Sequence, residues 1–346
     1  MQAFLQTPEQ ASNLVTIEYI QILMTLLAAE NEVVLIQSVR VAVTLPTFRR
    51  PDHLIMTLDS LQAQGLGSET AIIVMENDAE GLEGARAAAE WLESSHVKVI
   101  VIVAHQRGNC HAYNAGWETA LAEFPKLTHI AVIDDDEIAG PGWLSGLMKT
   151  AQKTGADLVG GPQVPVFADK ALDGWRRHPV FTPHYRDTGP VPILYSSGNV
   201  LISRPVLDMM PRPFLDPAFN FIGGGDSDFY RRAKARGFSF AWSAEAAVME
   251  TLMSRRAEFS WLNARSLRNG AISSILEKRQ WPGMQGRVRT FAKSLALLAA
   301  APWRGLRLGL QTGSAVIGLY HIQVALGRLM EEFGLVNEQY RNPESN

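Results

Sequence analysis

Between Val39 and Ile133, four apolar runs of strand length alternate with three amphipathic stretches of helix length, and this rhythm constrains the fold more than any other feature. Val39–Leu45, Ala71–Met75, Val97–Val103 and Thr128–Ile133 predict strands. Pro51–Gln64, Gly84–Ser94 and Cys110–Glu123 predict helices; the first has Pro51 in its opening turn and Leu54, Ile55, Leu58 and Leu61 on one face. Such alternation predicts an α/β protein with a mostly parallel sheet covered by helices on both faces. Open sheets of this kind bind ligands beyond the carboxyl ends of their strands. Here each predicted strand runs into polar residues: Thr47 and Arg49, Glu76 and Asn77, Gln106 and Arg107, then Asp134 to Asp136. A nucleotide-type site at that edge is the expectation.

The fourth strand ends most abruptly. Ile130-Ala131-Val132-Ile133 gives way to Asp134-Asp135-Asp136-Glu137 with no basic residue among them. Carboxylates this close repel one another unless a cation lies between them. Mg²⁺ and Mn²⁺ take oxygen ligands, and Mg²⁺ commonly bridges one or two carboxylates to substrate phosphates. A solvated acidic turn is the plainer alternative. Neither the G-x-G-x-x-G fingerprint nor the P-loop pattern follows the first strand. Phosphates bound here would therefore depend on a cation held by Asp134 and Asp136.

Beyond a helix predicted around Pro141–Gly155, the segment Pro162–Pro192 is proline-rich, aromatic and irregular, which suits a substrate-shaping region. Leu194–Ser203 predicts a further strand. Gly223-Gly224-Gly225-Asp226-Ser227-Asp228 then leads into a helix over Phe229–Arg236 that stops at Gly237. Glycines before paired acids let backbone approach a ligand while the carboxylates face the site. Helix N-capping is the other use for an Asp at either position.

Composition bounds the function. The 346 residues are 47% apolar and 19% charged, with a net charge of -3, which argues for an ordinary globular protein and against a nucleic-acid partner. Cys110 is the single cysteine, so cysteine-based zinc clusters and intramolecular disulfides are excluded and a reducing compartment fits. The first apolar stretch, Ile20–Ala29, has Glu18 and Glu30 at its flanks and no basic start, unlike a secretory signal. Residues 1–37 read as an amphipathic helical extension with a short strand over Val33–Ile36. From Phe291 the chain becomes rich in Leu, Ala and Gly; its longest uncharged run, Leu308–Ala325, spans about 18 residues and contains Gln311, Ser314, His321 and Gln323, which argues against a full membrane span. Two helices are expected instead, packed on the α/β domain or lying on the cytoplasmic membrane face with Arg304 and Arg307 at the interface.

In this order the motifs resemble those of the inverting family 2 nucleotide-sugar glycosyltransferases, over about residues 39–270. The first-strand segment with Pro46, Thr47 and Arg49 looks like the one that lines the nucleotide. Val74-Met75-Glu76-Asn77-Asp78 is similar to the segment contacting uracil or ribose, with Glu76 where Asp is more usual. Arg107-Gly108-Asn109-Cys110-His111-Ala112-Tyr113-Asn114-Ala115-Gly116 resembles the family's Gly…Ala-Arg-Asn-x-Gly segment, but Tyr113 replaces Arg, which shifts the pyrophosphate contact to Arg107. Asp134-Asp135-Asp136 looks like the DXD motif, with Asp136 the direct metal ligand, Asp134 acting through water and Asp135 beside the nucleotide. Gly223–Asp228 resembles Gly-Gly-Glu-Asp-x-Asp with Gly225 in place of Glu, which leaves Asp226 on the catalytic-base position. Trp242–Gly270, with Glu250, Arg255, Arg256, Trp261, Arg265 and Arg268, resembles the tail of succinoglycan-type exopolysaccharide glucosyltransferases; Glu250 stands where many relatives carry a metal-binding His.

The resemblance implies a GT-A, Rossmann-like catalytic domain over 38–270, preceded by the extension 1–37 and followed by a helical region 271–346. It implies inverting transfer from a UDP-sugar, with Mn²⁺ or Mg²⁺, to a saccharide or lipid-linked acceptor, by a cytoplasmic enzyme touching the inner membrane face. Asp228, Asn199, Trp175, Gly224 and Gly225 are the expected sugar or acceptor contacts. Two other classes compete. A metal-dependent nucleotidyltransferase would show a glycine-rich basic loop, unlike Pro46-Thr47-Phe48-Arg49; a non-catalytic nucleotide-sugar binder would have no use for Asp136 together with Asp226.

Overall fold

A computed structural model describes residues 36–95 and 97–341. All but the last two residues of the extension expected over 1–37, and most of the strand expected over 33–36, lie outside these residues; Ile36 itself opens a helical turn. The alternation is realised as β1 (Val41–Thr47), α1 (Pro51–Gln62), β2 (Thr70–Glu76), α2 (Glu83–Leu92), β3 (Val99–Val103), α3 (Asn109–Glu123) and β4 (His129–Ile133). There follow β5 (Glu137–Ala139), α4 (Trp143–Thr154), β6 (Leu158–Gly160), β7 (Gln163–Phe167), β8 (Gly189–Val191), β9 (Asn199–Ser203), α5 (Arg204–Met209), α6 (Gly225–Ala235), β10 (Phe240–Trp242) and β11 (Val248–Leu252). The long helices α7 (Phe259–Gln280) and α8 (Met284–Thr312), the short α9 (Ala315–Gly318), and α10 (Tyr320–Glu332) complete the order.

The chain divides into two compact units, the first formed by residues up to Gln163, Tyr185–Pro217 and Phe229–Glu250. Its core is one sheet in the order β3-β2-β1-β4-β9-β6-β10-β8. Pairing is parallel for β3–β2, β2–β1, β1–β4 and β6–β10 and antiparallel for β4–β9, β9–β6 and β10–β8. The strand expected over Leu194–Ser203 is therefore shorter than its apolar pattern and enters against its neighbours. Strand alternation divides the core between two faces. Val43 and Leu45 of β1 and Ile72 and Val74 of β2 pack with Leu54, Leu58, Ala88 and Trp91 of α1 and α2. The intervening Met75 meets α3 so closely that a Cβ on Gly116 would lie 1.8 Å from its sulfur.

The second unit comprises Val164–His184, Ala218–Asp228 and the residues after Glu250. Within it α7 continues unbroken across residue 270 and crosses α10 at two glycines: a Cβ on Gly270 would lie 2.1 Å from the Val324 carbonyl, and one on Gly327 would lie 1.9 Å from that of Leu267. The expected irregular segment contains a 3₁₀ helix over Lys170–Arg177. Trp175 on that helix packs against the Phe167, Phe181, Leu252, Ala257 and Leu262 cluster, so it serves the core of this unit. The long uncharged run is split at Gly313, which adopts φ +68° and ends α8. Among the described residues no helix is long and apolar enough to cross a membrane.

Candidate active site

The site in the first unit grows from the carboxyl ends of β1, β2 and β4. The Thr57 hydroxyl of α1 donates to the backbone carbonyls of Asp135 and Glu137 at 3.0 and 2.8 Å, pinning the acidic turn under the sheet edge. Asp135 accepts from the Thr47 hydroxyl at 2.9 Å and from the Phe48 amide at 3.4 Å. The Arg50 guanidinium reaches Asp135 at 3.4 Å and Asp136 at 2.9 Å. Burial pulls the Arg50 pKa down, but Asp135 and Asp136 outweigh it and hold the guanidinium charged. Asp134 accepts from the Tyr113 hydroxyl, and its amide donates to Glu137 Oε2 at 2.9 Å.

These carboxylates are crowded and dry. Burial, then Asp136, raises Asp134 to about 7. Burial raises Asp135 to about 7 against the pull of Arg50. Glu137 is pushed well up by burial and by Asp134. Across the β5–β11 ladder Glu137 stands opposite Glu250, a like-charge pair that is itself unfavourable, and Glu250 adds to the repulsion on Asp134. A proton or a cation is what relieves such a cluster. The donor set is hard oxygen and suits Mg²⁺ or Mn²⁺. Among the described residues no three side chains are arranged to hold an ion by themselves. A cation here would be bound by one or two of these carboxylates and would need phosphate oxygens and water to complete its shell, the usual habit of Mg²⁺.

The rim is basic. Arg49 and Arg107 both lie over the Phe48 ring, with Cζ 5.0 and 5.3 Å from its centroid, so two of the expected nucleotide contacts are brought together. Arg49 adopts φ +55°, an uncommon left-handed conformation for a residue with a side chain. Its Nε donates to Asp78 at 2.6 Å. Pro46 lies inside β1 rather than after it, paired in register with Met75.

Two expected ligand contacts are occupied by the fold. Glu76, fully buried, accepts from the Asp78 and Ala85 amides at 2.8 and 3.0 Å and so serves the first turn of α2; Asp78 takes its place at the rim. Asn199 accepts from Trp143 Nε1 at 2.8 Å and donates to the carbonyls of Pro162 and Ala246 at 3.1 and 2.8 Å, so its amide is engaged in the core of the unit.

Three residues escaped the sequence reading. Arg50 was hidden beside Arg49. Tyr113 stood out only as a departure from the family pattern. A Cβ at Gly198 would fall 2.6 Å from Glu137 Oε1 and 2.9 Å from Asp134 Oδ2, so only glycine fits over the acids; Ser-Ser-Gly-Asn was its sole signal.

The remaining expected residues belong to the second unit. Gly223 and Gly224 take φ +78° and +92°. A side chain on Gly224 would strike Ile272, with its Cβ 2.6 Å from that residue's Cγ2. Helix α6 begins at Gly225, so Asp226 and Asp228 occupy its first turn and neither is an N-cap. Burial raises the Asp226 pKa, opposed by the Ser227 amide that its carboxylate accepts at 2.7 Å and by Arg265. Asp228 is paired with Arg279 at 3.3 Å.

Comparison with known proteins agrees with this geometry. The glycosyl transferase family 2 profile matches residues 42–209. The succinoglycan biosynthesis protein ExoM of Rhizobium meliloti is 31% identical over 254 residues, covering 72% of this chain and 79% of that protein. The mannosyltransferase PcManGT of Pyrobaculum calidifontis, solved with GDP-Man and Mn²⁺, shares the fold at a TM-score of 0.55 and 16% identity, covering 85% of this chain and 88% of its own. The chain belongs to glycosyl transferase family 2.

Proposed function

We propose that this glycosyltransferase moves a sugar from a UDP-sugar to a hydroxyl of a saccharide or lipid-linked saccharide in exopolysaccharide assembly, with inversion at the anomeric carbon. The carrying observation is the buried carboxylate cluster at the end of β4, in which Asp134 and Asp135 are both raised to about 7. The name of the ExoM relative points to the pathway, and PcManGT pairs the same fold with a nucleotide sugar and Mn²⁺.

Asp136 would hold Mg²⁺ or Mn²⁺ directly and Asp134 through water. When bound, the cation neutralises charge that develops on the departing nucleoside diphosphate. Arg107 adds a guanidinium to the same phosphates, and Phe48 orients it. Asp226 accepts the proton of the acceptor hydroxyl as that oxygen bonds to the anomeric carbon and the bond to the diphosphate breaks, its electron pair leaving on phosphate. General-base help of this kind contributes about 10²–10⁴-fold. Burial raises the Asp226 pKa, which makes its carboxylate a stronger base than an ordinary aspartate. One base and one displacement give inversion.

A peripheral position on the cytoplasmic membrane face completes the proposal. Helix α8 turns small or hydroxylated residues inward (Gly286, Thr290, Ser294, Ala301, Gly305) and large apolar ones outward (Met284, Val288, Leu295, Trp303, Leu306, Leu310). Its charged residues, Arg287, Arg289, Lys293, Arg304 and Arg307, are all basic. That is the pattern of a helix lying in a lipid interface.

The decisive experiment is metal-dependent hydrolysis of a panel of UDP-sugars by wild type, Asp136→Ala and Asp226→Asn. Slow UDP release from one sugar, lost in Asp136→Ala, supports the proposal and names the donor. UDP binding without turnover of any sugar points to a non-catalytic binder, and neither binding nor turnover removes the proposal.

A further inference from the structure

Within the second unit, Arg268 of α7 is 2% exposed, yet its Nε and Nη1 are buried with no hydrogen-bond partner. Its remaining polar contact is weak: Nη2 lies 3.4 Å from the Tyr340 hydroxyl. No carboxylate pairs with it among the described residues. A buried, unpaired guanidinium is strongly unfavourable. Chains keep such a group where an anion completes it. The unit's other buried cation shows the contrast, because Arg328 has Glu277 at 2.7 Å and hydroxyls of Ser273 and Ser294 at 2.7 and 3.0 Å.

Arg268 is aimed at the loop that precedes Asp226. Its Cζ lies 3.7 Å from the position a Gly223 Cβ would take. One turn earlier on α7, Arg265 donates to the same Tyr340 hydroxyl at 2.8 Å and is near enough to act on Asp226. Two guanidinium groups thus converge on one neutral oxygen, which satisfies them far less well than a phosphate would.

Tyr340 covers them as a lid. Its ring lies under Arg268, 4.6 Å from Cζ to centroid, and the residue as a whole is 36% exposed. Its amide donates to the Phe221 carbonyl at 3.1 Å, which ties the C-terminal segment to the glycine loop. The segment is loosely held on its other side. Gln339 Oε1 and Trp261 Nε1 are buried without partners, and a cleft of about 340 Å³ opens between Trp261 and Asn337–Gln339. Glu258 and Glu338 also line that cleft, and Glu338 is engaged by Arg341.

We propose that Arg265 and Arg268 form a phosphate-binding subsite beside the Gly223–Gly225 loop, closed at rest by Tyr340, and that a phosphate-bearing ligand displaces the tyrosine ring to reach it. The transferase reading enters only in naming the ligand, which is a diphosphate carried by either the acceptor or the donor.

The test is calorimetric titration of the full chain with inorganic pyrophosphate, without divalent metal, for wild type, Arg268→Gln, Arg265→Gln and Tyr340→Ala. Arg268→Gln and Arg265→Gln each weaken binding roughly tenfold or more. Tyr340→Ala tightens it by removing the competing occupant. Arg265 is only half buried, so its variant keeps the test alive if Arg268→Gln does not fold. Equal affinity in wild type and both arginine variants overturns the subsite, and weaker binding in Tyr340→Ala overturns the lid. A parallel UDP titration with Mn²⁺ separates the sources: loss of UDP affinity in Arg268→Gln assigns the subsite to the donor, and its retention alongside lost pyrophosphate binding assigns it to the acceptor. Because pyrophosphate binding is read without sugar or metal, an absence of hydrolysis leaves this result standing.

Discussion

The Tyr113 hydroxyl donates to the carboxylate of Asp134, and Tyr113 stands where the motif that its segment resembles has arginine. A phenol does not supply the permanent positive charge that arginine would. Its pKa is driven up further by burial and by Asp134, so it stays a neutral donor. It draws the Asp134 pKa down, against the burial and the Asp136 charge that raise it. Tyr113→Phe should therefore leave Asp134 more protonated at neutral pH. Metal-dependent turnover should fall about 10–100-fold at pH 7, the usual effect of losing a hydrogen bond to a ligand, and recover in part at pH 8.5. Rate against Mn²⁺ concentration at the two pH values checks this; an equal loss at both would reduce Tyr113 to packing.

The same cluster sets how stability depends on pH. Asp134 and Asp135 move from an ordinary 3.8 to about 7 in the folded chain. Between those values the folded state binds more protons than the unfolded, so their contribution is complete below about pH 4 and is lost as pH rises through 7. The metal-free protein should melt at a higher temperature at pH 5.5 than at pH 8, and Asp135→Asn should flatten the difference. Mn²⁺ with UDP should raise the melting temperature most at pH 8, where it replaces the missing proton. A melting temperature that increases steadily from pH 5.5 to 8 without metal would refute the assignment.

Asp226 gives a second pH handle. Burial raises its pKa and Arg265 opposes the rise. The acid limb of kcat/KM should lie above the ordinary carboxylate range, and Arg265→Gln should move it higher still. A limb that stays fixed in Arg265→Gln would separate Asp226 from the titrating base.

What the sequence disclosed was periodic or crowded. The alternation from Val41 to Ile133 announced the parallel half of the sheet because each strand is buried on both faces and reads as a plain apolar run. The acids 134–137 were legible because nothing neutralises them locally. Their partners were not, since Arg50, Tyr113 and Gly198 arrive from three separate segments and only the folded chain brings them together. The structural bonds of Glu76 and Asn199 were not legible for one reason: a polar residue at a strand end satisfies backbone groups as readily as it contacts a ligand.

Asn199 makes that distinction measurable. Asn199→Ala would leave the Trp143 indole N–H and two carbonyls unpaired in the core. Unfolding in urea should show a loss of roughly 2–4 kcal/mol. KM for the donor should stay within about twofold in the folded fraction; a raised KM at unchanged stability would return Asn199 to the ligand.

Helix α8 carries the prediction about location. Trp303, Leu306 and Leu310 are 72%, 57% and 76% exposed, so replacing them removes little packing. Each apolar side chain moved from water into an acyl layer gains about 1.5–3 kcal/mol, and the basic residues beside them add attraction to anionic lipid. Wild-type protein should sediment with vesicles of mixed neutral and anionic lipid, less so at high salt. Leu306→Glu with Leu310→Glu should reduce binding at least tenfold without lowering the melting temperature, because both positions already face water. Equal sedimentation of wild type and variant would locate lipid contact elsewhere. Loss of binding with hydrolysis of the UDP-sugar unchanged would make α8 the element that brings a membrane-borne acceptor to the enzyme.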